Sequence, residues 1–468
     1  MASSSQHLKL LKGLIWCYLV LLVTEGALRK WVVPGLATPL LIVRDPLVLA
    51  IYLVAASCRK FVFNGYVMAS FLLAAASFAG SLLAPETNIY ITMIGLRCYF
   101  LHLPLMFVME KTLDEEDIER IGKFFLWFAI PETLICVTQF DSPQSRWINF
   151  SVGGQITMGM SGALNKFRPS GTFSFTTGVA EFYPVALASL MGFLMMRKKL
   201  PLYLALAAGL CIAVAVPVSI SRTNAVTCAL LLLVAGVSAL ALPSATKVIV
   251  RTILFIGVAT MLASWLPHFD EGVDAFSSRW TDATGNTAQS FQTNIVGRFF
   301  TDLLPPFGLL FDTPLLGQGV GRGTMMAQGF LFGQRQFALG EAEWPRLILE
   351  MGPVLGLAFI LLRVGVCARL ASQAFQALRR ENIWPVLYSI PALLLVLNAQ
   401  WGQPTTLGFA TFAAGLSFAA TRIHLTAGTP AKPASRRHRY GRRPSWQQPV
   451  YEPLTRPAGR PEPSDSFQ

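Results

Sequence analysis

The chain has 468 residues, of which 53% are hydrophobic and only 13% are charged. A soluble protein carries about 25% charged residues, so this composition excludes a soluble enzyme with one anchor and predicts a protein that crosses a membrane many times. The formal net charge of +13 is unevenly spread, and no nucleic-acid-binding motif accompanies it. The cysteines number seven, an odd count with none in residues 267–352, which implies no disulfide framework.

The predicted fold class is an all-α integral membrane protein, because apolar runs long enough to span a bilayer, about 20 residues, recur along the chain. These runs predict twelve transmembrane helices, at 10–24, 38–56, 66–84, 89–109, 123–140, 178–196, 200–220, 223–242, 248–266, 346–365, 383–398 and 405–422.

Lysines and arginines of the short connections fall in alternate loops, which predicts that both termini and those loops lie in the cytoplasm. The remaining loops then face outward, at 25–37, 141–177, 221–222, 267–345 and 399–404. Arg29 and Lys30 break this rule, and the neighbouring Trp31 and Pro34 indicate that their loop is structured or functional.

Four regions follow from these runs. Residues 1–266 hold transmembrane helices 1–9, and 267–345 form an extracytoplasmic loop with short helices. Residues 346–423 hold helices 10–12, and 424–468 form a cytoplasmic tail. The tail carries eight Lys or Arg against three acids, with many Pro and Ser, so it is predicted to be disordered. A second predicted role for this basic tail, besides fixing the topology, is contact with anionic lipid.

Several ionisable residues fall inside or at the ends of the predicted spans, where a charge costs about 2.5–3.5 kcal/mol unless it has a partner or a wet cavity. They are Arg44, Asp45, Arg97, His102, Glu132, Glu181 and Arg222. One interpretation is ion pairing between helices, such as Arg44 with Asp45 or Arg97 with Glu132. The other is a polar cavity open to the outer face. For His102 alone, we expect a hydrogen-bonded core histidine.

The stretch 267–352 is the longest piece, apart from the tail, that cannot cross a bilayer. It contains no Lys, its acids outnumber its bases, and its loop carries four arginines, Arg279, Arg298, Arg322 and Arg335. Loops much longer than about 15 residues are usually functional or disordered, and the glycines and aromatic residues here argue against disorder. The stretch is therefore predicted to take part in chemistry.

Arginine recurs beside Gly, Ser or Thr in the outward loops. The pieces are RPSGTFSF with Arg168, SRTN with Arg222, GRFF with Arg298, and DTPLLGQGVGRG with Arg322. Small neighbours let a ligand approach the backbone, and the planar guanidinium binds diphosphate through two points. Beside a membrane, the natural diphosphate is that of a polyprenyl carrier. The chain has no GxxxxGK[ST], HExxH or DxD motif, which argues against cytosolic nucleotide-sugar chemistry and against a metal site.

These pieces resemble the bacterial O-antigen ligase and O-antigen polymerase superfamily of polytopic lipid-linked glycan transferases. SRTN resembles the family's Ser-Arg-Thr helix start, and RPSGTFSF is similar to its Arg-x-x-Gly-x-Phe loop. GRFF and the following DTPLLGQGVG resemble its Gly-Arg segment and Pro-Leu-Leu-Gly-x-Gly motif. Glu341, followed by Glu350-Met-Gly352, resembles the His…Glu-x-Gly segment that ends the large loop. Ligases usually carry His in place of Glu341, which leaves room for a polymerase or a separate exopolysaccharide branch.

The resemblance implies an inverting, metal-independent glycosyl transfer, without a cofactor, at the outer face of the bacterial cytoplasmic (inner) membrane. The donor would be a glycan on undecaprenyl diphosphate, and the acceptor a sugar hydroxyl on another lipid-linked glycan or on lipid A core. A polymerase would add a chain-length regulator to these partners. The diphosphate would be bound by Arg222, Arg298, Arg322, Arg168 and Arg97. The acceptor's proton would go to Glu341, with Glu343 as the alternate.

Other interpretations fit parts of the same pattern. Intramembrane charges and proline-broken spans also fit a lipid-linked oligosaccharide transporter or flippase, although the long asymmetric loop and the lack of a visible repeat favour a transferase. Protein O-oligosaccharyl transfer by the same fold is a third possibility. Glu341 and Glu343 also suit a first helical turn before Pro345, where the helix dipole favours acids by about 0.3–1 kcal/mol. Glu350 lies four residues after Arg346, a spacing that suits a simple ion pair.

Overall fold

The computed structural model describes residues 2–84, 88–156, 162–242, 245–284, 308–324 and 342–427, together with two isolated residues, Ala327 and Leu339. Two predicted site residues, Arg298 and Glu341, lie outside the described residues, as does nearly all of the predicted tail. Within the described ranges the protein is all-helical and contains no β-strand.

The α-helices of the described part, numbered in chain order, are α1 (Ala2–Ala27), α2 (Ala37–Leu40), α3 (Arg44–Ser57), α4 (Gly65–Leu83), α5 (Ile89–Leu96), α6 (Leu103–Thr112), α7 (Glu115–Asp141), α8 (Thr176–Met195), α9 (Leu202–Val218), α10 (Arg222–Ala239), α11 (Ala245–Ala263), α12 (Pro267–Thr284), α13 (Glu343–Leu378), α14 (Trp384–Asn398) and α15 (Pro404–Ala427). Short π-helical segments at Leu28–Val32 and Arg97–Leu101 extend α1 and join α5 to α6.

Eight helical segments of the described chain are long and apolar enough to cross a membrane. They are Ser5–Val32, Gly65–Leu83, Ile89–Thr112, Glu115–Asp141, Thr176–Met195, Arg222–Ala239, Ala245–Ala263 and Glu343–Leu378. A ninth results if Pro34–Leu40 and α3, which meet at a bend of 41°, count as one span. The structure therefore confirms the predicted all-α, multi-pass membrane class. The count of twelve spans stays a prediction.

The spans differ greatly in how deeply they lie inside the bundle. In α8, 94% of the apolar window is buried within the protein, whereas the figure for α11 is 11%. A helix that is apolar all round and enclosed on every side forms the centre of a bundle, and a helix with exposed apolar residues faces lipid. The loop that precedes α8 is therefore attached to the most central helix.

One end of the bundle collects several of the loops predicted to face outward. Lys166, in the loop between α7 and α8, pairs with Asp141 at the end of α7 (3.2 Å) and with Glu271 of α12 (2.8 Å). His268 of α12 approaches the same Asp141 to 2.7 Å. We call this end, formed by residues 142–156, 162–175, 219–221 and 264–284 and the helix ends beside them, the loop end.

Candidate functional site

Three arginines from separate parts of the chain come together at the loop end. Arg168 lies in the loop before α8, Arg222 is the first residue of α10, and Arg279 lies on α12. Burial, together with the positive charges of Arg279 and Arg222, lowers the pKa of Arg168 to about 10. We call these residues the arginine cluster. Several cations gathered in a partly buried place favour the binding of an anion.

A three-residue turn between α9 and α10 sets the position of Arg222. Ser221 caps α10, since its Oγ accepts a hydrogen bond from the backbone N–H of Asn224 at 3.4 Å. The Asn224 side chain donates to Ser219 Oγ at 3.1 Å. Ile220 is fully buried with a φ of +43°, a strained conformation for a β-branched residue. The SRTN sequence thus forms a fixed helix start that places Arg222 at the loop end.

Side chains from α7 hold the RPSGTFSF loop, which carries Arg168. Gln139 Oε1 accepts hydrogen bonds from the backbone N–H groups of Ser170 (3.0 Å) and Gly171 (2.8 Å). The carboxylate of Glu132 accepts from the N–H of Thr172 at 3.1 Å. Gly171 has a φ of +55°, and a Cβ there would lie 1.6 Å from Glu132 Oε1, so only glycine fits.

Arg29 and Lys30, the bases that break the alternation of charged loops, also bind this loop. Lys30 Nζ donates to Ser170 Oγ at 3.0 Å and to the carbonyl of Gly171 at 2.5 Å. Arg29 donates to Ser174 Oγ at 3.0 Å. Both bases are buried. Both residues lie in the π-helical extension of α1, so the stretch predicted as an outward loop is structured, and its contacts support the segment that carries Arg168.

The glycine-rich segment that contains Arg322 packs against the N-terminal part of α13. The carboxylate of Glu350 accepts hydrogen bonds from the backbone N–H groups of Gly321 (2.7 Å) and Gly323 (2.8 Å). Arg346 Nε lies 3.8 Å from Glu350, in the ion pair that the sequence spacing suggested. Arg322 is half-buried between the two bonded glycines. Glu350 therefore anchors this segment.

Glu343, the alternate base, is fully buried at the start of α13. Its carboxylate accepts hydrogen bonds from Arg346, from Arg363 NH1 at 2.8 Å and from the backbone N–H of Trp401 at 3.2 Å. The exposed fractions of these charged side chains are 0–1%. Both carboxylate oxygens thus hold hydrogen bonds inside the protein, an arrangement that favours a structural role over proton abstraction.

Arg97 belongs to a different charged network, which is separate in sequence from the arginine cluster. It pairs with Asp45, which also bonds His102 Nε2 at 3.0 Å, so His102 is hydrogen-bonded in the core as expected. Arg44 pairs with Glu25 at 2.9 Å. The ion-pair interpretation therefore holds for Arg44, Asp45 and Arg97, but the partners suggested from the sequence, Asp45 for Arg44 and Glu132 for Arg97, are wrong.

A cavity of about 570 Å³ opens beside the Asp45–Arg97 pair, between the α2–α3 break and α5. The rest of its lining is largely apolar and includes Ile42, Tyr90 and Met93, which are themselves exposed. This cavity differs from the polar one predicted around Arg97, because the two charges neutralise each other at an apolar wall.

Sequence reasoning missed two residues. The sequence pattern assigns no role to Arg279. The feature of the sequence that marks Arg279 is its isolation from other bases, since it is the sole Lys or Arg between residues 252 and 297. The sequence predicts Glu181 only as an intramembrane acid; in the structure its Oε1 accepts a hydrogen bond from Thr406 Oγ1 at 2.5 Å. Among the described residues, no group of three or more His, Cys, Asp or Glu side chains is arranged to hold a metal ion.

No protein-family model matches the chain, and no curated protein matches it. The fold defines the class as a multi-pass, all-α membrane protein. Any closer assignment rests on the arginine cluster and on the residues that hold it.

Proposed function

We propose that this protein is a membrane glycosyltransferase of the O-antigen polymerase or ligase type. It transfers a glycan from undecaprenyl diphosphate to a sugar hydroxyl at the outer face of the bacterial inner membrane. The arginine cluster is the observation that carries the proposal, because a diphosphate has about two negative charges and needs several cations in a site of low dielectric constant. The loop end is the outward end in this proposal, and the chain spans the membrane twelve times with both termini in the cytoplasm.

The proposed reaction is the inverting displacement that the resemblance implies. The acceptor hydroxyl oxygen attacks the anomeric carbon from the face opposite the diphosphate, and the bond between that carbon and the diphosphate oxygen breaks. The diphosphate leaves with the electron pair, and arginines stabilise its charge. The hydroxyl proton passes to a carboxylate. Glu341 is the proposed base, because the contacts of Glu343 favour a structural role. Arg298 and Arg322 are the further diphosphate ligands that the resemblance implies.

Binding of undecaprenyl diphosphate to the purified protein in lipid nanodiscs tests the proposal. Arg168→Lys and Arg222→Lys keep the charge but lose the planar fork, so each should weaken binding by about tenfold or more. The matched control is Arg120→Lys, because Arg120 forms an exposed pair with Glu116 on α7. Wild-type affinity in both cluster variants would contradict the diphosphate role.

A second experiment distinguishes transfer of the glycan from its transport across the membrane. The protein is reconstituted in liposomes that contain the host's lipid-linked glycan. Extension or transfer of the glycan supports the proposal. Movement of the unchanged lipid-linked glycan between leaflets, with no new glycosidic bond, would favour a flippase instead.

A further inference from the structure

The cavity beside the Asp45–Arg97 pair opens on a surface that faces lipid. Its volume of about 570 Å³ falls within the range of about 300–1,000 Å³ that small-molecule pockets occupy. Three of its lining residues, Ile42, Tyr90 and Met93, are 42%, 75% and 56% exposed. They lie within candidate membrane spans, so in the bilayer their exposed sides contact hydrocarbon. A ligand therefore reaches this cavity from the membrane.

The two charges on the cavity wall are already paired with each other. Arg97 pairs with Asp45 and also donates to the carbonyl of Leu41 at 3.0 Å. Most of the remaining lining is apolar and includes Ile91 and Ile94. Between apolar groups inside a membrane, van der Waals packing supplies the binding free energy. This wall therefore suits an uncharged hydrocarbon chain.

The start of α3 connects the cavity to the RPSGTFSF loop. Asp45 lies on the cavity wall, and its neighbour Arg44 pairs with Glu25 at 2.9 Å. Glu25 also pairs with Arg29 at 3.2 Å, and Arg29 donates to Ser174 Oγ in the loop at 3.0 Å. Arg44, Glu25 and Arg29 are buried. Because a buried ion pair is costly to break, the cavity has a fixed position relative to this loop.

Helix α5 connects the cavity to the glycine-rich segment that carries Arg322. Ile91 and Ile94 of α5 line the cavity. A Cβ on Gly95 would lie 2.4 Å from the backbone nitrogen of Gly321, so the two backbones are in direct contact. The cavity and the glycine-rich segment therefore both border α5.

We propose that this cavity binds isoprene units of the polyprenyl chain of the substrate. The substrate carries a hydrocarbon chain and a diphosphate on one molecule. Both connections of the cavity lead to segments with an arginine assigned to the diphosphate, Arg168 in the loop and Arg322 beside α5. These connections have no function for an ordinary phospholipid, which favours the polyprenyl chain. The inference rests on the proposed function, since it places a second part of the same substrate.

Photo-crosslinking of the full-length protein in detergent micelles tests the inference. The probe is a farnesyl diphosphate analogue in which benzophenone replaces the terminal isoprene unit, and labelled peptides are identified by mass spectrometry. Labelling is expected within residues 41–45 and 88–101, which border the cavity. An excess of undecaprenyl phosphate of about tenfold should reduce this labelling about tenfold by mass action, whereas the same excess of dioleoyl phosphatidylglycerol should reduce it less than about twofold.

Two variants fill the mouth of the cavity. Met93→Trp and Ile42→Trp should each reduce the labelling about fivefold, because the indole occupies space that the chain needs. Both positions are exposed, so the melting temperature should stay close to that of the wild type. The matched control is Met261→Trp on α11, since Met261 is 50% exposed and does not line this cavity. Its labelling should equal that of the wild type.

The inference is overturned if no label falls within the two stretches, if phosphatidylglycerol competes as well as undecaprenyl phosphate, or if both cavity variants are labelled like the wild type. Arg168→Lys and Arg222→Lys separate the inference from the proposed function. Loss of undecaprenyl diphosphate binding in these variants, with no label at the cavity, would sustain the proposed function and overturn the inference. Label at the cavity with wild-type diphosphate affinity in both variants would sustain the polyprenyl site and contradict the diphosphate role.

Discussion

Gly321 donates its backbone N–H to the carboxylate of Glu350 at 2.7 Å, across 29 positions of sequence. Gly323 donates to the other oxygen of the same carboxylate at 2.8 Å. The glycine-rich motif and the Glu-Met-Gly motif, which are separate in the sequence, therefore form one packed unit. The first consequence is that both motifs are needed for the fold of this region.

Gly321→Ala should destabilise the protein by about 1–3 kcal/mol. Gly321 has a φ of +89°, and a Cβ there would lie 2.4 Å from the carbonyl oxygen of Ile91. Thermal unfolding of the detergent-solubilised protein measures the effect. The control is Gly236→Ala in α10, where no atom lies within 4 Å of the new Cβ and a gain of about 0.5–1 kcal/mol is expected. Equal stability of Gly321→Ala and the wild type would refute the packing argument.

Glu343→Gln should lower the yield and thermal stability of the folded protein, because it removes the charge that compensates Arg346 and Arg363. Loss of one partner from a buried ion pair costs about 3–5 kcal/mol. Glu341→Gln should instead preserve folding and greatly reduce transfer, because it removes only the proposed base. Both variants are compared by size-exclusion profile, melting temperature and glycan transfer. If Glu343→Gln melts like the wild type but loses transfer, Glu343 is the base after all.

The pairing of Lys166 with Glu271 predicts a pH-dependent attachment of α12. Burial lowers the pKa of Lys166, but hydrogen bonds to Glu271 and Asp141 outweigh it and raise the pKa above its ordinary 10.5. The hydrogen bond from Lys166 lowers the pKa of Glu271 below its ordinary 4.5. The contribution of Lys166 to the free energy of unfolding is complete below about pH 10 and is lost as pH rises through the raised pKa. The contribution of Glu271 to the free energy of unfolding is complete above about pH 5 and is lost as pH falls through the lowered pKa.

Lys166→Met should therefore reduce thermal stability at pH 7 by a small amount, about 0.2–1 kcal/mol, because the pair is partly exposed. The difference from the wild type should shrink steadily as pH falls through the lowered pKa of Glu271, because the protonated carboxyl no longer pairs with the lysine. Lys9→Met, a change at an exposed lysine of α1, serves as the control. A difference that stays constant from pH 7 to pH 3 would exclude the carboxylate pairing.

The sequence predicted the helices well, because apolar runs of membrane-spanning length form helices whatever their neighbours are. It could not predict the partners of Arg44 and Asp45. Adjacent residues on a helix point in directions about 100° apart, so these two side chains face different neighbours, Glu25 and Arg97. The partners of such side chains depend on how each helix is rotated about its own axis. Apolar periodicity does not determine this rotation when a helix is apolar on all sides.

Arg29 and Lys30 show a related limit of charge counting. The rule that basic loops face the cytoplasm concerns bases in short loops beside the spans. Lys30 is 2% exposed and donates its hydrogen bonds to the segment before α8. The position of this charge therefore reflects local packing and not the side of the membrane that the segment faces. The contact partner, Ser170, lies 140 positions away and is invisible to any local pattern.

The arginine cluster also bears on biogenesis. Its cations come from residues 168, 222 and 279, and the first of their loops is held by residue 30. A ribosome that inserts the chain from its N-terminus completes this set only after α12 has emerged. Truncated products that end before residue 279 therefore lack the full set of charges, however well their helices insert. Under the proposed function, the order of synthesis would then delay binding of the lipid carrier until most of the bundle is in the membrane.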